Sequence, residues 1–243
     1  MESELEAEVQ KTIGLIGGMS WESTAVYYKK INEMVRDRFG GLHSADIVLY
    51  SVDFDRIVGW QRSDQWTKAA DYLGDIGRKL EAAGADCVLI CTNTMHLIAE
   101  PISIKIGVPL IHIVDVTGQA LAAAGARKPL LLATRYTMEQ PFYLERLKEK
   151  FGIDAMVPDQ AGRDAVHDVI FNELCCGIIK DSSRAVYLDI IEKGRTAGCD
   201  SVILGCTEIG MLLSADETGL ATFDSTLLHA SAAVDFANAS RPA

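Results

Sequence analysis

One short segment occurs twice in this chain, 114 residues apart. Ala83-Gly84-Ala85-Asp86-Cys87-Val88-Leu89-Ile90-Cys91-Thr92 lines up with Ala197-Gly198-Cys199-Asp200-Ser201-Val202-Ile203-Leu204-Gly205-Cys206, so Thr92 stands opposite Cys206. In each copy a glycine ends a helical stretch and an apolar run of strand length follows. Small polar residues, Thr92-Asn93-Thr94 and Cys206-Thr207-Glu208, then close the strand where the next helix starts. Strand ends of this kind are where open α/β sheets bind their ligands. Two weaker matches extend the repeat. Lys11-Thr12-Ile13-Gly14-Leu15-Ile16, ending in Gly17-Gly18-Met19-Ser20, resembles Lys128-Pro129-Leu130-Leu131-Leu132-Ala133, ending in Thr134-Arg135-Tyr136-Thr137. Asp115-Val116-Thr117 resembles Asp224-Ser225-Thr226, each after an apolar run.

A duplicated α/β unit in 243 residues implies two pseudo-symmetric domains, each a mostly parallel sheet flanked by helices, with the active site in the cleft between them. Strand patterns fall near 11–16, 46–51, 86–91, 109–113, 129–133, 154–157, 200–204 and 220–223, separated by helical stretches. No Pro/Gly/Ser-rich linker divides the halves. The repeat alone gives a first half over 11–116 and a second over 117–226, with a final helix, 227–238, packing back on the first. Residues 1–10 read as a frayed acidic extension.

The formal net charge of −11 argues against a nucleic-acid partner, which needs a basic stripe. An anionic small molecule is still compatible with it, because backbone N–H groups can hold an anion locally. The N-terminus lacks the basic-then-apolar order of a secretory signal, and no apolar run reaches the ~20 residues of a membrane span. A cytoplasmic protein without membrane contact is expected. The six cysteines then read as thiols. Cys87, Cys91 and Cys199 lie in or beside strands and Cys175-Cys176 late in a helical stretch, positions typical of small core residues. There is no Cys-x-x-Cys, and the five histidines (43, 96, 112, 167, 229) are not at zinc spacing, so no metal site is expected. The Gly14-x-x-Gly17-Gly18 run lacks nucleotide-binding spacing and reads instead as a tight strand-to-helix turn.

Cys206 differs from the other thiols in standing at a strand end before Thr207-Glu208, where a helix N-terminus is expected to lower its pKa toward neutrality. Facing strand ends place one group on each side of a bound molecule. Two opposed groups suit removal of a proton from one face of a carbon and return of a proton to the other, the logic of a cofactor-independent racemase or isomerase. Cys91 is the alternative to Thr92 as the opposing group. Successive strand side chains point to opposite faces, however, and the repeat pairs Cys91 with Gly205.

Gly17-Gly18-Met19-Ser20-Trp21-Glu22-Ser23-Thr24, Cys91-Thr92-Asn93-Thr94-Met95-His96 and Gly205-Cys206-Thr207-Glu208-Ile209 resemble the aspartate/glutamate racemase family of amino-acid racemases, over nearly all of residues 11–238. The family pattern is Cys-Asn-Thr in the first half and Gly-Cys-Thr-Glu or Gly-Cys-Thr-His in the second. Here the first reads Thr92-Asn93-Thr94, as in a subgroup described as L-aspartate/glutamate-specific or broad-specificity. The resemblance implies catalysis by Thr92 and Cys206 without a cofactor, on an amino acid, in a homodimer. It implies that the substrate α-carboxylate meets Asn93, Thr94 and Thr207, with Glu208 beside Cys206 and Met19 and Gln61 as further contacts. Met19 also reads as core filling and Gln61 as a solvated loop residue. Ser20 and its repeat partner Thr137 are placed to line the cleft. Threonine has no ionised form near neutrality, so the direction in which Cys206 abstracts is expected to be the faster. Which enantiomer that is stays open.

Aspartate or glutamate needs a cation for its second carboxylate, for which Arg56, Arg62 and Arg135 are unranked candidates. If none faces the cleft, neutral amino acids are favoured. A one-thiol decarboxylase or cis–trans isomerase of the same fold, and a catalytically silent amino-acid-binding protein, are the alternatives.

Overall fold

A computed structural model describes residues 10–239; the expected extension at 1–10 therefore lies, apart from Gln10, outside the described residues. The chain runs β1 (Ile13–Gly17), α1 (Trp21–Phe39), β2 (Ile47–Ser51), α2 (Phe54–Arg62), α3 (Trp66–Ala82) and β3 (Cys87–Ile90). A 3₁₀ turn (Thr94–Ile98), α4 (Ala99–Ser103) and α5 (Ile113–Ala123) follow. Next come β4 (Pro129–Leu132), α6 (Arg135–Glu139), α7 (Phe142–Phe151), α8 (Gln160–Asn172), a 3₁₀ turn (Leu174–Cys176) and α9 (Asp181–Thr196). β5 (Ser201–Leu204), α10 (Ile209–Leu212), a 3₁₀ turn (Ala215–Glu217), β6 (Ala221–Asp224) and α11 (Ser225–Ala237) complete it.

The strands form two all-parallel sheets, ordered β2-β1-β3 and β4-β5-β6. Single parallel bridges, Val88 to Leu110 and Leu130 to Met156, add a fourth position to each. The strands expected at 109–113 and 154–157 shrink to these contacts. Pro109 has no N–H to give, and His112 already caps α5 by accepting from Val114 N. At 154–157 the chain turns at Pro158 into the Asp159 cap of α8. With the bridges included, the two sheets have the same strand order. The sequence repeat is thus a repeat of topology.

The recurring Ala-Gly-x-Asp has a structural cause. Gly84 (φ +100°) and Gly198 (φ +90°) end α3 and α9 in the left-handed region that favours glycine. Two residues on, Asp86 accepts from Thr12 N at 2.8 Å, and Asp200 accepts from Arg127 N at 2.7 Å and Lys128 N at 2.9 Å. Each aspartate thereby pins the start of the neighbouring strand, β1 or β4. The third match fails in detail. Asp224 caps α11, but the residue capping α5 is His112; Asp115 sits inside α5, paired with Arg146 and Lys150.

β1 and β3 are buried on both faces, which accounts for their unbroken apolar runs, whereas the edge strand β2 is partly exposed. Ile16, Val88 and Ile90 pack on Leu73, Ile76 and Ile102, whereas Ile13, Leu15, Leu89 and Cys91 pack on Tyr27, Ile31, Ala230 and Val234. The second face is closed by α1 together with α11. Ile113, Val114 and Leu121 of α5 belong to the core of the second sheet.

Three histidines scattered in sequence meet behind the first sheet's strand ends. The His96 ring lies 4.7 Å from His112 and 5.6 Å from His229. His96 Nε2 accepts from Ile113 N at 3.2 Å, so Nδ1 carries the proton and donates to the Thr92 carbonyl at 2.8 Å. His229 Nε2 bonds the Ile111 carbonyl at 2.7 Å, leaving Nδ1 to accept from Tyr27 Oη at 2.9 Å. Burial holds all three well below the usual imidazole range, His112 and His229 at about 3, with Arg146 adding to the effect at His112 and the neighbouring imidazole at His229. In the unfolded chain the same groups take protons from about pH 6.5 downward. Their contribution is therefore complete above about pH 6.5 and falls as the pH drops toward 3. Stability should decline between pH 7 and 5, by up to about 1.4 kcal/mol per imidazole for each pH unit below 6.5. Urea midpoints that stay flat across that interval would contradict this account.

Candidate active site

The strand-end segments of both halves meet in one cleft of about 530 Å³, counting its solvent mouth. Thr92 and Cys206 both line it, each the second residue past its strand, β3 or β5. Met19, Ser20, Gln61, Asn93, Thr94, Thr207 and Glu208 line it as well, whereas Thr137, expected beside Ser20, is fully buried behind the lining and does not reach the space. Gln61 is buried rather than solvated, its amide donating to Met95 Sδ at 3.1 Å. Cys91 is fully buried among Ile13, Leu15 and Tyr27, and burial pushes its thiol up. It does not line the cleft.

Hydrogen bonds cross the cleft in matched pairs. Ser20 Oγ, which also caps α1 by accepting from Ser23 N, donates to Glu208 Oε1 at 2.8 Å. Its counterpart Thr137 lies 3.2 Å from Thr94 Oγ1, and Thr94 occupies in the first half the place of Glu208 in the second. Thr134 joins that hydroxyl cluster at 2.9 Å from Thr94. The middle residues of each segment reach the first turn of α11, Asn93 Nδ2 to Ser225 Oγ at 3.0 Å and Thr207 Oγ1 to Thr226 Oγ1 at 2.9 Å. Asn93 Oδ1 is buried with no hydrogen-bond partner among the described residues. The Gly17-Gly18 turn spends its Gly18 N–H on Thr24 Oγ1 at 2.7 Å, as a strand-to-helix turn does.

The two sides differ chemically. Cys206 Sγ donates to Glu208 Oε2 at 2.9 Å, and Cys175 Sγ reaches Oε1 of the same carboxylate at 3.8 Å. No carboxylate occupies the corresponding place beside Thr92, because Thr94 stands there. The expected lowering of the Cys206 pKa is not found: burial, then the Glu208 carboxylate and Cys175, hold the thiol well above its ordinary value. The reason is local. The helix after Cys206, α10, is four residues long and supplies little dipole, while the carboxylate accepts the thiol proton.

Cys175 is a correction in its own right, since a thiol expected to fill the core lines the cleft from the 3₁₀ turn after α8. Phe54, Tyr136, Ile170 and Phe171 were also missed. They lie near helix ends, and apart from Tyr136 they fall outside the repeat, where sequence carries no mark of a shared cavity. The three arginines lie elsewhere. Arg56 Nη1 donates to Tyr72 Oη at 3.2 Å, Arg62 is exposed at the end of α2, and Arg135 Nη2 pairs with Asp164 at 2.9 Å.

A cleft between two like-ordered parallel sheets, with a thiol on one strand end and a hydroxyl on the matching one, is a geometry suited to acid–base chemistry on both faces of one carbon. Comparison with known proteins agrees. The profile of the Asp/Glu/hydantoin racemase family matches residues 16–233, and the chain belongs to that family. A solved structure from Yersinia pestis, described as a candidate Asp/Glu racemase, is 48% identical, with a TM-score of 0.88 over 93% of this chain and 99% of that one. An aspartate racemase homologue from Pyrococcus horikoshii OT3 is 31% identical, with a TM-score of 0.84 over 94% of this chain and 100% of the other. The broad specificity amino-acid racemase RacX of Bacillus subtilis is 24% identical, over 88% of this chain and 92% of its own length.

Proposed function

We propose that this chain is an amino-acid racemase that inverts the α-carbon without a cofactor, using Cys206 on one face and Thr92 on the other. The reading rests on one observation: Cys206, hydrogen-bonded to Glu208, and Thr92 line the same cleft from pseudo-equivalent strand ends. The resting thiol is protonated. For abstraction its proton passes to Glu208 as sulfur takes the α-proton, so the carboxylate is the acceptor that makes a half-buried thiol a base. On the other face Thr92 gives its hydroxyl proton to the α-carbon while receiving one from water, because its alkoxide is not accessible near neutrality, and the hydroxide so formed is neutralised by the proton that Glu208 returns to solvent. The α-carboxylate is taken by N–H and hydroxyl groups of Asn93, Thr94 and Thr207. Met19 and Gln61 bound the substrate on the first-half side.

Further parts of this reading are a cytoplasmic homodimer and division into units 11–116, joined by 227–238, and 117–226. Among the described residues no helix is long and apolar enough to cross a membrane.

The test is α-proton exchange in D₂O, followed together with inversion, for wild type and Glu208→Gln. Wild type should exchange and invert. Glu208→Gln should retain binding but lose about 10²–10⁴-fold in kcat for both readouts. Exchange without inversion in the wild type would favour a one-thiol enzyme, and binding without exchange a silent amino-acid-binding protein.

A further inference from the structure

Thr92 and Cys206 occupy matching places but are held in different ways. Cys206 is fixed at its side chain by Glu208, and its carbonyl accepts from Ile209 N at 3.1 Å. Thr94 stands where a carboxylate would serve Thr92, so the direction of the Thr92 hydroxyl is set by its backbone and by the few χ1 positions open to a β-branched side chain. That backbone is gripped from behind the cleft. Thr92 N donates to the Ile90 carbonyl at 2.7 Å, and the Thr92 carbonyl accepts from His96 Nδ1 at 2.8 Å. His96 is buried and does not line the cleft. Its ring is itself fixed, with Nε2 accepting from Ile113 N at 3.2 Å and the His112 ring 4.7 Å away. Burial keeps the imidazole neutral, so Nδ1 stays a donor while Nε2 stays an acceptor. The second half has no equivalent. The repeat puts Gly210 opposite His96, and a Cβ at Gly210 would lie 2.9 Å from Asp224 Oδ2. The imidazole thus belongs to the half whose acid–base group lacks a carboxylate.

We propose that His96 is a positioning residue for Thr92, its Nδ1–H holding the Thr92–Asn93 peptide so that the Thr92 hydroxyl and the Asn93 N–H both present to the cleft. The inference rests on the racemase reading above. The peptide is trans, so a carbonyl drawn back to the imidazole turns the Asn93 N–H the opposite way. Without the bond the peptide is free to rotate, and hydroxyl and N–H swing with it. Cys206 and Glu208 lie past β5 and keep their own hydrogen bond. Proton return on the Thr92 face therefore suffers more than abstraction on the Cys206 face.

The experiment compares wild type, His96→Asn, His96→Gln and His96→Phe as full chains checked by circular dichroism. It reads α-proton exchange and inversion in D₂O at saturating amino acid, using whichever enantiomer of aspartate, glutamate, methionine or lysine the wild type exchanges fastest. The asparagine amide nitrogen takes the place of Nδ1 and donates to the Thr92 carbonyl, whereas the glutamine amide reaches the place of Nε2 and serves Ile113. The ratio of inversion to exchange should fall about tenfold or more in His96→Gln and His96→Phe and stay within about threefold of wild type in His96→Asn. A ratio that all three variants share, or one that glutamine preserves and asparagine loses, overturns the assignment, leaves His96 as a structural link to α5 and leaves the racemase reading standing. A wild type that exchanges none of the four amino acids overturns both. If the variants do not fold, ¹⁵N-histidine NMR of the wild type decides. His96 should be the Nδ1–H tautomer, with a resonance that moves when the amino acid binds, because a carboxylate on the Asn93 N–H polarises the peptide whose carbonyl accepts from the ring. An Nε2–H tautomer, or a resonance that does not move, overturns the assignment.

Discussion

Cys206→Ala should abolish turnover in both directions, with loss of α-proton exchange as well as inversion and a fall in kcat of at least about 10³-fold, the scale of a positioned acid–base group. The size follows from what is left. On that side of the cleft the remaining groups are Glu208, which reaches the α-proton through the sulfur, and Cys175, whose thiol is raised by burial and by the same carboxylate. Neither replaces a group set between Glu208 and the substrate. Cys206→Ser should come close to the same loss, because a hydroxyl passes a proton to Glu208 far less readily than a thiol. Circular dichroism and substrate binding should stay near wild type. Substantial turnover by the alanine variant would take Cys206 out of the mechanism and make Cys175 the next residue to replace.

Replacements at Thr92 should separate the two faces. Thr92→Ala is expected to cut inversion by about 10²-fold or more while exchange by Cys206 stays measurable, since abstraction on one face survives loss of the donor on the other. Thr92→Cys supplies a group with pKa of about 8.5 and should accelerate the slower direction more than the faster. The equilibrium between free enantiomers stays at unity, so the gain must appear in kcat and KM together. Its extent is limited by Thr94, which leaves a thiol at position 92 without the carboxylate that serves Cys206. Cys91→Ala should change packing alone, because Cys91 lies in the core shared with Tyr27 and Ala230. If Cys91→Ala stops inversion and Thr92→Ala does not, the strand register assigned here is wrong.

Much of this was legible in the amino-acid sequence because the repeat combines two local rules. The glycine-aspartate lead-in is helix-stop and strand-anchor chemistry, and the alternation that separates Cys91 from Thr92 is the pleat. Both act within a few residues. The state of the Cys206 thiol was not legible, since it depends on a helix of four residues and on Cys175 and Ser20 converging on Glu208 from distant elements. Nor was the imidazole cluster, whose members come from the turn after β3, the cap of α5 and the middle of α11. Asp115 misled because a motif match by letters paired it with Asp224, whereas the capping job had passed to His112.

The last helix completes the first sheet. α11 supplies Ala230, Ala233, Val234 and Ala237 to the core under β1 and β3, its His229 accepts from Tyr27, and Lys11 N donates to the Ala237 carbonyl at 3.0 Å. A ribosome releases the strands of that sheet long before it releases their lid. The nascent first half therefore waits with one apolar face open while the second half is made, a window in which a chaperone or a neighbouring nascent chain finds a binding surface. Because Lys11 and Ala237 already touch, a permuted gene that encodes α11 ahead of β1 through a short linker should close that window and raise the yield of folded protein.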